Sequence, residues 1–251
     1  EVRPFRLLEA RNWAPDLDEL RDAVDERVKL IIVTNPNNPT GAILTEQEMD
    51  EIVAVAQRHG AWLIADEIYA GAELDGRWTP SFWGRYDRLI ITAGLSKAYG
   101  LPGLRIGWAV GPAEFIQDLW SYKDYTSIAP GTLSDLCARI ALQPQTRQRI
   151  YERTRSILND NLAPLEGWLA DRADIFHYLA PRAGAICYTR YDLDVGSSEL
   201  ALRLKDEQSV LIVPGDHFQM DGYMRIGYGL PRPELLEALD RIETVVRSLV
   251  S

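Results

Sequence analysis

The chain has 251 residues, 46% of them hydrophobic, and a formal net charge of −10; that length suits one large domain or two modest ones with a real core. The acidic balance, without a basic run or a basic amphipathic stripe, argues against nucleic acid and against an anionic membrane surface as partners. Two distant cysteines (Cys137, Cys187) and three histidines (His59, His177, His217) offer neither a disulfide framework nor metal-ligand spacing, and with no signal-like opening and no apolar run near the ~20 residues of a membrane span, the expected compartment is the cytoplasm.

In chain order, Leu30 to Thr34 (LIIVT) is a β-branched run that stops at the turn-rich NPNNPTG. Thr45 and Glu48 form a T-x-x-E capping box, and the helix it opens is expected to run to a C′ glycine, Gly60. Ala61 to Ala65 (AWLIA) is a second buried strand ending at DEIY, and Leu89 to Thr92 (LIIT) a third ending at AGLSK. These runs are apolar on both faces, which predicts parallel strands with helices on either side. The texture then changes. A long helical pattern spans Arg147 to Leu169, with a kink expected before Pro164, and strands are expected over Ala185 to Tyr191, Val210 to Val213 and Tyr223 to Tyr228. A last helix opens near Pro233 with Leu235, Leu236, Leu239, Ile242, Val246 and Leu249 on one stripe. The expected fold class is α/β: a large domain over residues 1–145 with a mainly parallel sheet, and a smaller α+β domain over residues 146–251.

Ligands of an open parallel sheet bind beyond the carboxyl ends of its strands. Those ends carry Asn35, Asn37 and Asn38, then Asp66 and Tyr69, then Ser96 and Lys97, with Arg105 shortly after. Singly, each has an ordinary explanation: the acid caps a helix, the asparagines make a turn, the lysine is solvated. Together at successive strand ends they predict one site.

The motifs NPNNPTG, DEIY and SKAYGLPGLRIGW, followed by MRIGYG, resemble in order and spacing the series found in class I/II pyridoxal-phosphate aminotransferases of the aspartate aminotransferase fold (fold type I). The resemblance implies a three-layer α/β/α large domain, the cofactor pyridoxal 5'-phosphate, and a Schiff base on Lys97. It further implies Asp66 at the pyridine nitrogen, Tyr69 and Asn38 at the ring oxygen, and Ser96 and Arg105 at the phosphate. Arg225 would take the substrate α-carboxylate, with Asn38 also on the substrate side. A homodimer exchanging an amino group between an amino acid and a 2-oxo acid is the implied assembly and reaction. Related cyclase or lyase chemistry, or a non-catalytic cofactor-binding regulatory module, are the alternatives.

The residues support that chemistry in their own right. A lysine among small apolar neighbours is expected to have its ammonium form disfavoured by desolvation, which suits an imine-forming amine that later moves a proton. An ionised acid keeps a pyridine nitrogen protonated, and an arginine fork suits phosphate or carboxylate. Arg225 alternates with Met224 and Ile226, so it points away from them; an edge-strand solubility charge is its other explanation. Gly94 stands where the family often has serine, which implies one phosphate hydroxyl fewer. The segment before NPNNPTG holds no counterpart of the family's N-terminal arm, Gly-rich phosphate loop or ring-stacking aromatic. From this, on the order of a hundred further upstream residues and weak cofactor binding by this chain alone are expected. No cation occurs between Asp124 and Leu136, so no acidic substrate is singled out. A remote rival takes G-L-S-K-A as a nucleophile elbow with Ser96 attacking and His177 or His217 as base, although Gly100, Pro102 and Gly103 break the helix such an elbow feeds.

Overall fold

A computed structural model describes residues 1–250. The chain forms two compact units, residues 1–38 with 42–154 and residues 39–41 with 155–251. The division falls nine residues beyond the expected 145/146 boundary, because the first turns of a long helix belong to the first unit: Tyr151 packs on Trp78 and Tyr99, with ring centroids 5.3 and 4.9 Å away.

The first unit opens with a two-stranded hairpin, β1 (Leu7–Leu8) and β2 (Ala14–Pro15), and α1 (Leu17–Ala23), whose N-cap Asp16 accepts from Glu19 N. There follow β3 (Leu30–Thr34), α2 (Glu46–His59), β4 (Trp62–Asp66), β5 (Leu89–Gly94), β6 (Gly107–Val110), α3 (Ala113–Lys123) and α4 (Thr132–Ala141). The Thr45–Glu48 capping box is formed in both directions, and Gly60 closes α2 in the left-handed region at φ 65°. The sheet order is β3-β4-β5-β6, with the first two pairings parallel and β5–β6 antiparallel.

One face of this sheet packs Ile31, Val33, Leu63, Ala65, Leu89 and Ile91 against Leu20 of α1 and Met49, Ile52 and Val53 of α2. The other face meets α3, where Phe115 lies 5.1 Å from the Trp62 ring. That makes three layers. The expected burial of both faces does not extend to β3, whose alternate residues Leu30 and Ile32 are exposed.

The chain enters the second unit within α5 (Pro144–Ala170), which contains Pro164. Next come β7 (Phe176–Tyr178), β8 (Ile186–Tyr191), α6 (Ser197–Gln208), β9 (Val213–Pro214), β10 (Tyr223–Gly227) and α7 (Arg232–Val250). The sheet order is β7-β8-β10-β9, antiparallel throughout. Of the expected strand Val210 to Val213 only its last residue pairs, since Val210 N is used on Leu204 O at the end of α6. On α7 the buried stripe is Leu235, Leu239, Ile242, Val245 and Val246; Leu236 faces out. Asn161 ties α5 to this unit by donating to Tyr228 O and Leu230 O at 2.8 and 2.7 Å. Gly41 is held by Arg182 N and Ala183 N donating to its carbonyl. At φ +69°, with Pro181 Cβ only 2.6 Å from where a Cβ would stand, only glycine fits there.

Candidate active site

Parallel pairing sets the carboxyl ends of β3, β4 and β5 side by side. Thr34 pairs with Asp66, and Asp66 with Thr92. Beyond β3 the NPNNPTG loop is closed by the fully buried Asn35, whose N donates to Asp66 O at 3.0 Å and whose Oδ1 accepts from Leu44 N at 3.0 Å. Asn37 N donates to Ala42 O across the same loop, and Asn38 is half-buried within it.

Asp66 is the last residue of β4. Its Oδ1 accepts from Ile68 N at 3.2 Å, an Asx-type turn, and from Thr92 Oγ1 at 3.1 Å. That turn carries Tyr69 into a buried position. After β5 the chain turns tightly, with Leu95 N on Ile106 O and Gly100 N on Lys97 O. This places Lys97 Nζ 5.7 Å from the Tyr69 ring centroid, within cation–π range. Asp66, Tyr69 and Lys97 are thus assembled by three successive local features: a strand end, an Asx turn and a strand-following turn.

Lys97 itself is exposed, which corrects the expected desolvation of its amine. Its neighbours Leu95, Ala98 and Tyr99 turn inward and are buried, anchoring the turn while the lysine stays exposed. Ser96 is half-buried beside it. Arg105 is exposed in the left-handed region at φ 54°, ending the 3-10 turn Pro102–Leu104, and its Nη1 donates to Pro102 O at 2.9 Å. Turn and 3-10 structure, not an α-helix, follow Ser96, so the nucleophile-elbow geometry is absent.

In the second unit Arg225 lies on an inner strand, between β8 and β9, so the edge-charge explanation fails. Met224 and Ile226 are buried on one face, and the half-buried guanidinium turns the opposite way, 5.8 Å from the Phe218 ring.

Two polar residues escaped the sequence reading. Thr92 is the hydroxyl on Asp66, signalled only by a polar side chain ending an apolar strand. Glu67 is half-buried, and burial pushes its carboxyl upward, against hydrogen bonds from Phe82 N and Ser81 Oγ and with the neighbouring Asp66 charge adding to the rise. Among the described residues no group of His, Cys, Asp and Glu is arranged to hold a metal ion, and no helix is long and apolar enough to cross a membrane.

A mainly parallel α/β sheet with an acid, a phenol and a lysine at adjacent strand ends has these groups where ligands of open α/β sheets bind. Residues 1–242 match the family Aminotransferase class I and II, and the chain belongs to it. It is 32% identical over 241 residues to capreomycidine synthase of Streptomyces vinaceus, covering 96% of this chain and 61% of that protein. It is 29% identical over 259 residues to aromatic-amino-acid aminotransferase 2 of Thermococcus litoralis, covering 98% and 62%. A PLP-dependent aminotransferase from Streptococcus suis superposes with a TM-score of 0.87 at 35% identity, over 97% of this chain and 64% of that one. The expected fold class is therefore the right one, and the chain spans about three fifths of the length of these relatives.

Proposed function

We propose that this chain is the greater part of a pyridoxal 5'-phosphate-dependent aminotransferase that moves an amino group between an L-amino acid and a 2-oxo acid. The observation that carries this reading is the Asp66–Tyr69–Lys97 group. Both protein donors to the Asp66 carboxylate converge on Oδ1, and among the described residues no donor reaches Oδ2. A carboxylate with one oxygen pinned and the other open fits a ring N–H, and an exposed amine beside a buried phenol ring fits an aldehyde partner.

Bound there, the cofactor supplies an aldehyde carbon and an electron-accepting ring. Lys97 Nζ would hold the cofactor through that aldehyde carbon and, as a free amine, would carry a proton from the substrate α-carbon to that same cofactor carbon. Asp66 Oδ2 accepts the ring N–H and keeps its proton in place. The Tyr69 hydroxyl and the Asn38 amide donate to the ring oxygen, and Ser96 Oγ and the Arg105 guanidinium take the phosphate. Arg225 forks the substrate α-carboxylate, and Asn38 borders the substrate as well. We place the working form as a cytoplasmic homodimer. Its support is the run of large apolar side chains exposed along α3 and α4, among them Trp120, Tyr122, Leu133 and Ile140.

Borohydride reduction in the presence of pyridoxal phosphate, followed by peptide mapping, tests the reading. The adduct is expected on Lys97, and an adduct chiefly on Lys29, Lys123 or Lys205 would sink it. A panel of amino donors on the product of the complete reading frame should yield keto acids. Conversion of an amino acid without consumption of a keto acid would assign the protein to the cyclase or lyase reactions instead.

A further inference from the structure

The Thr92–Asp66 hydrogen bond is set by the sheet. The two residues are register partners across the parallel β4–β5 pair, and the backbone of Thr92 is held from the same side, its carbonyl accepting from Glu67 N at 2.8 Å. A threonine is stiff at χ1, so its hydroxyl has a fixed direction, and that direction is toward Asp66 Oδ1 at 3.1 Å. Ile68 N reaches the same oxygen at 3.2 Å from within the turn. The terminal torsion of an aspartate is broad and roughly two-fold, so a single donor leaves the carboxylate free to swing. Two donors on one oxygen, one from the turn after β4 and one from β5, define its plane.

We propose that Thr92 is a positioning residue for Asp66: its hydroxyl fixes the carboxylate so that Oδ2 is presented to the ring nitrogen of the cofactor. This rests on the role given to Asp66 above and adds to it a residue that touches neither cofactor nor substrate. Thr92 is half-buried, and Thr92→Val keeps its shape and branching while removing the donor. Thr92→Ser keeps the donor with a freer χ1.

The test uses the product of the complete reading frame loaded with pyridoxal phosphate labelled with 15N in the ring, in four forms: parent, Thr92→Val, Thr92→Ser and Asp66→Asn. In the parent the 15N resonance should report a protonated ring nitrogen. In Thr92→Val it should move toward the neutral-pyridine position, with kcat about tenfold lower, the scale of a lost hydrogen bond to a charged group, while KM for the amino acid changes less than about twofold and thermal unfolding stays in place. Thr92→Ser should return most of both signals. A Thr92→Val protein that keeps the parent resonance and kcat overturns the proposal, as does a Thr92→Ser protein as impaired as the valine form. If Asp66→Asn also leaves the resonance unmoved, the assignment of Asp66 falls and that of Thr92 with it. If Asp66→Asn moves it and Thr92→Val does not, Thr92 alone is misassigned.

Discussion

Gly94 and Gly107 are register partners across the antiparallel β5–β6 pair, and a Cβ on Gly94 would stand 2.8 Å from the Ile106 carbonyl oxygen and 3.0 Å from Gly107 Cα. Both obstacles are backbone, which cannot swing aside. The glycine at position 94 is therefore required by the close approach of the two strands, quite apart from any effect on phosphate binding. Gly94→Ser should destabilise the chain by about 1–3 kcal/mol, the usual scale of overpacking, seen as a lower urea midpoint with unchanged slope. A serine variant as stable as the parent would mean that β6 can move away at no cost.

Asp66→Asn separates chemistry from folding because the substitution keeps Oδ1. The amide oxygen can still accept from Thr92 Oγ1 and Ile68 N, so thermal unfolding should be nearly unchanged. The lost charge at Oδ2 should lower kcat on the order of a hundredfold or more, as removal of a preorganised electrostatic partner does elsewhere. A variant that unfolds while retaining normal activity per folded molecule would reduce Asp66 to a turn residue.

Glu67 predicts a pH dependence of stability. Burial raises its carboxyl above the usual 4.5, so over the interval from there up to the raised value the folded chain holds a proton that the unfolded chain has released. Stability from this group is complete below the unfolded value and is lost as pH rises through the folded one. Glu67→Gln keeps an acceptor for Phe82 N and Ser81 Oγ but no titrating proton. The stability difference should therefore move in favour of the variant as pH rises above the ordinary carboxyl value of 4.5; a difference independent of pH would show that Glu67 titrates like a solvated carboxyl.

What the sequence made legible was whatever depends on neighbours a few positions away. The Thr45–Glu48 capping box, the Gly60 stop and the strand ends at Asp66 and before Lys97 are all local signals, and all are present. What it hid depends on register and on burial. The bond from Thr92 to Asp66 exists because two strands pair in one alignment out of several. The direction of Lys97 follows from which of its neighbours turn inward. The place of Pro39 to Gly41 in the second unit follows from backbone bonds to residues 182 and 183, far along the chain. The stretch from Val210 to Ile212 has a strand's composition, yet its first N–H closes the preceding helix.

The open side of β3 leads to the last prediction. Among the described residues β3 pairs only with β4, so its other edge presents N–H and C=O groups to no neighbouring strand, and on one face Ile32 is 59% exposed and Leu30 41%. A flat apolar edge of this kind is a template for another strand. The α3–α4 surface is a separate apolar patch, with Trp120 68% exposed. The two should make separable contributions to self-association of the 251-residue chain. Ile32→Lys places a charge on the exposed face without touching the buried Ile31 and Val33, and should reduce species larger than a dimer in a sedimentation series across concentration. Trp120→Glu should reduce the dimer itself. Both positions are on the surface, so unfolding free energy should change by no more than about 0.5 kcal/mol. If Ile32→Lys leaves the large species unchanged while Trp120→Glu abolishes them, association runs through the helical surface alone and the β3 edge is inert.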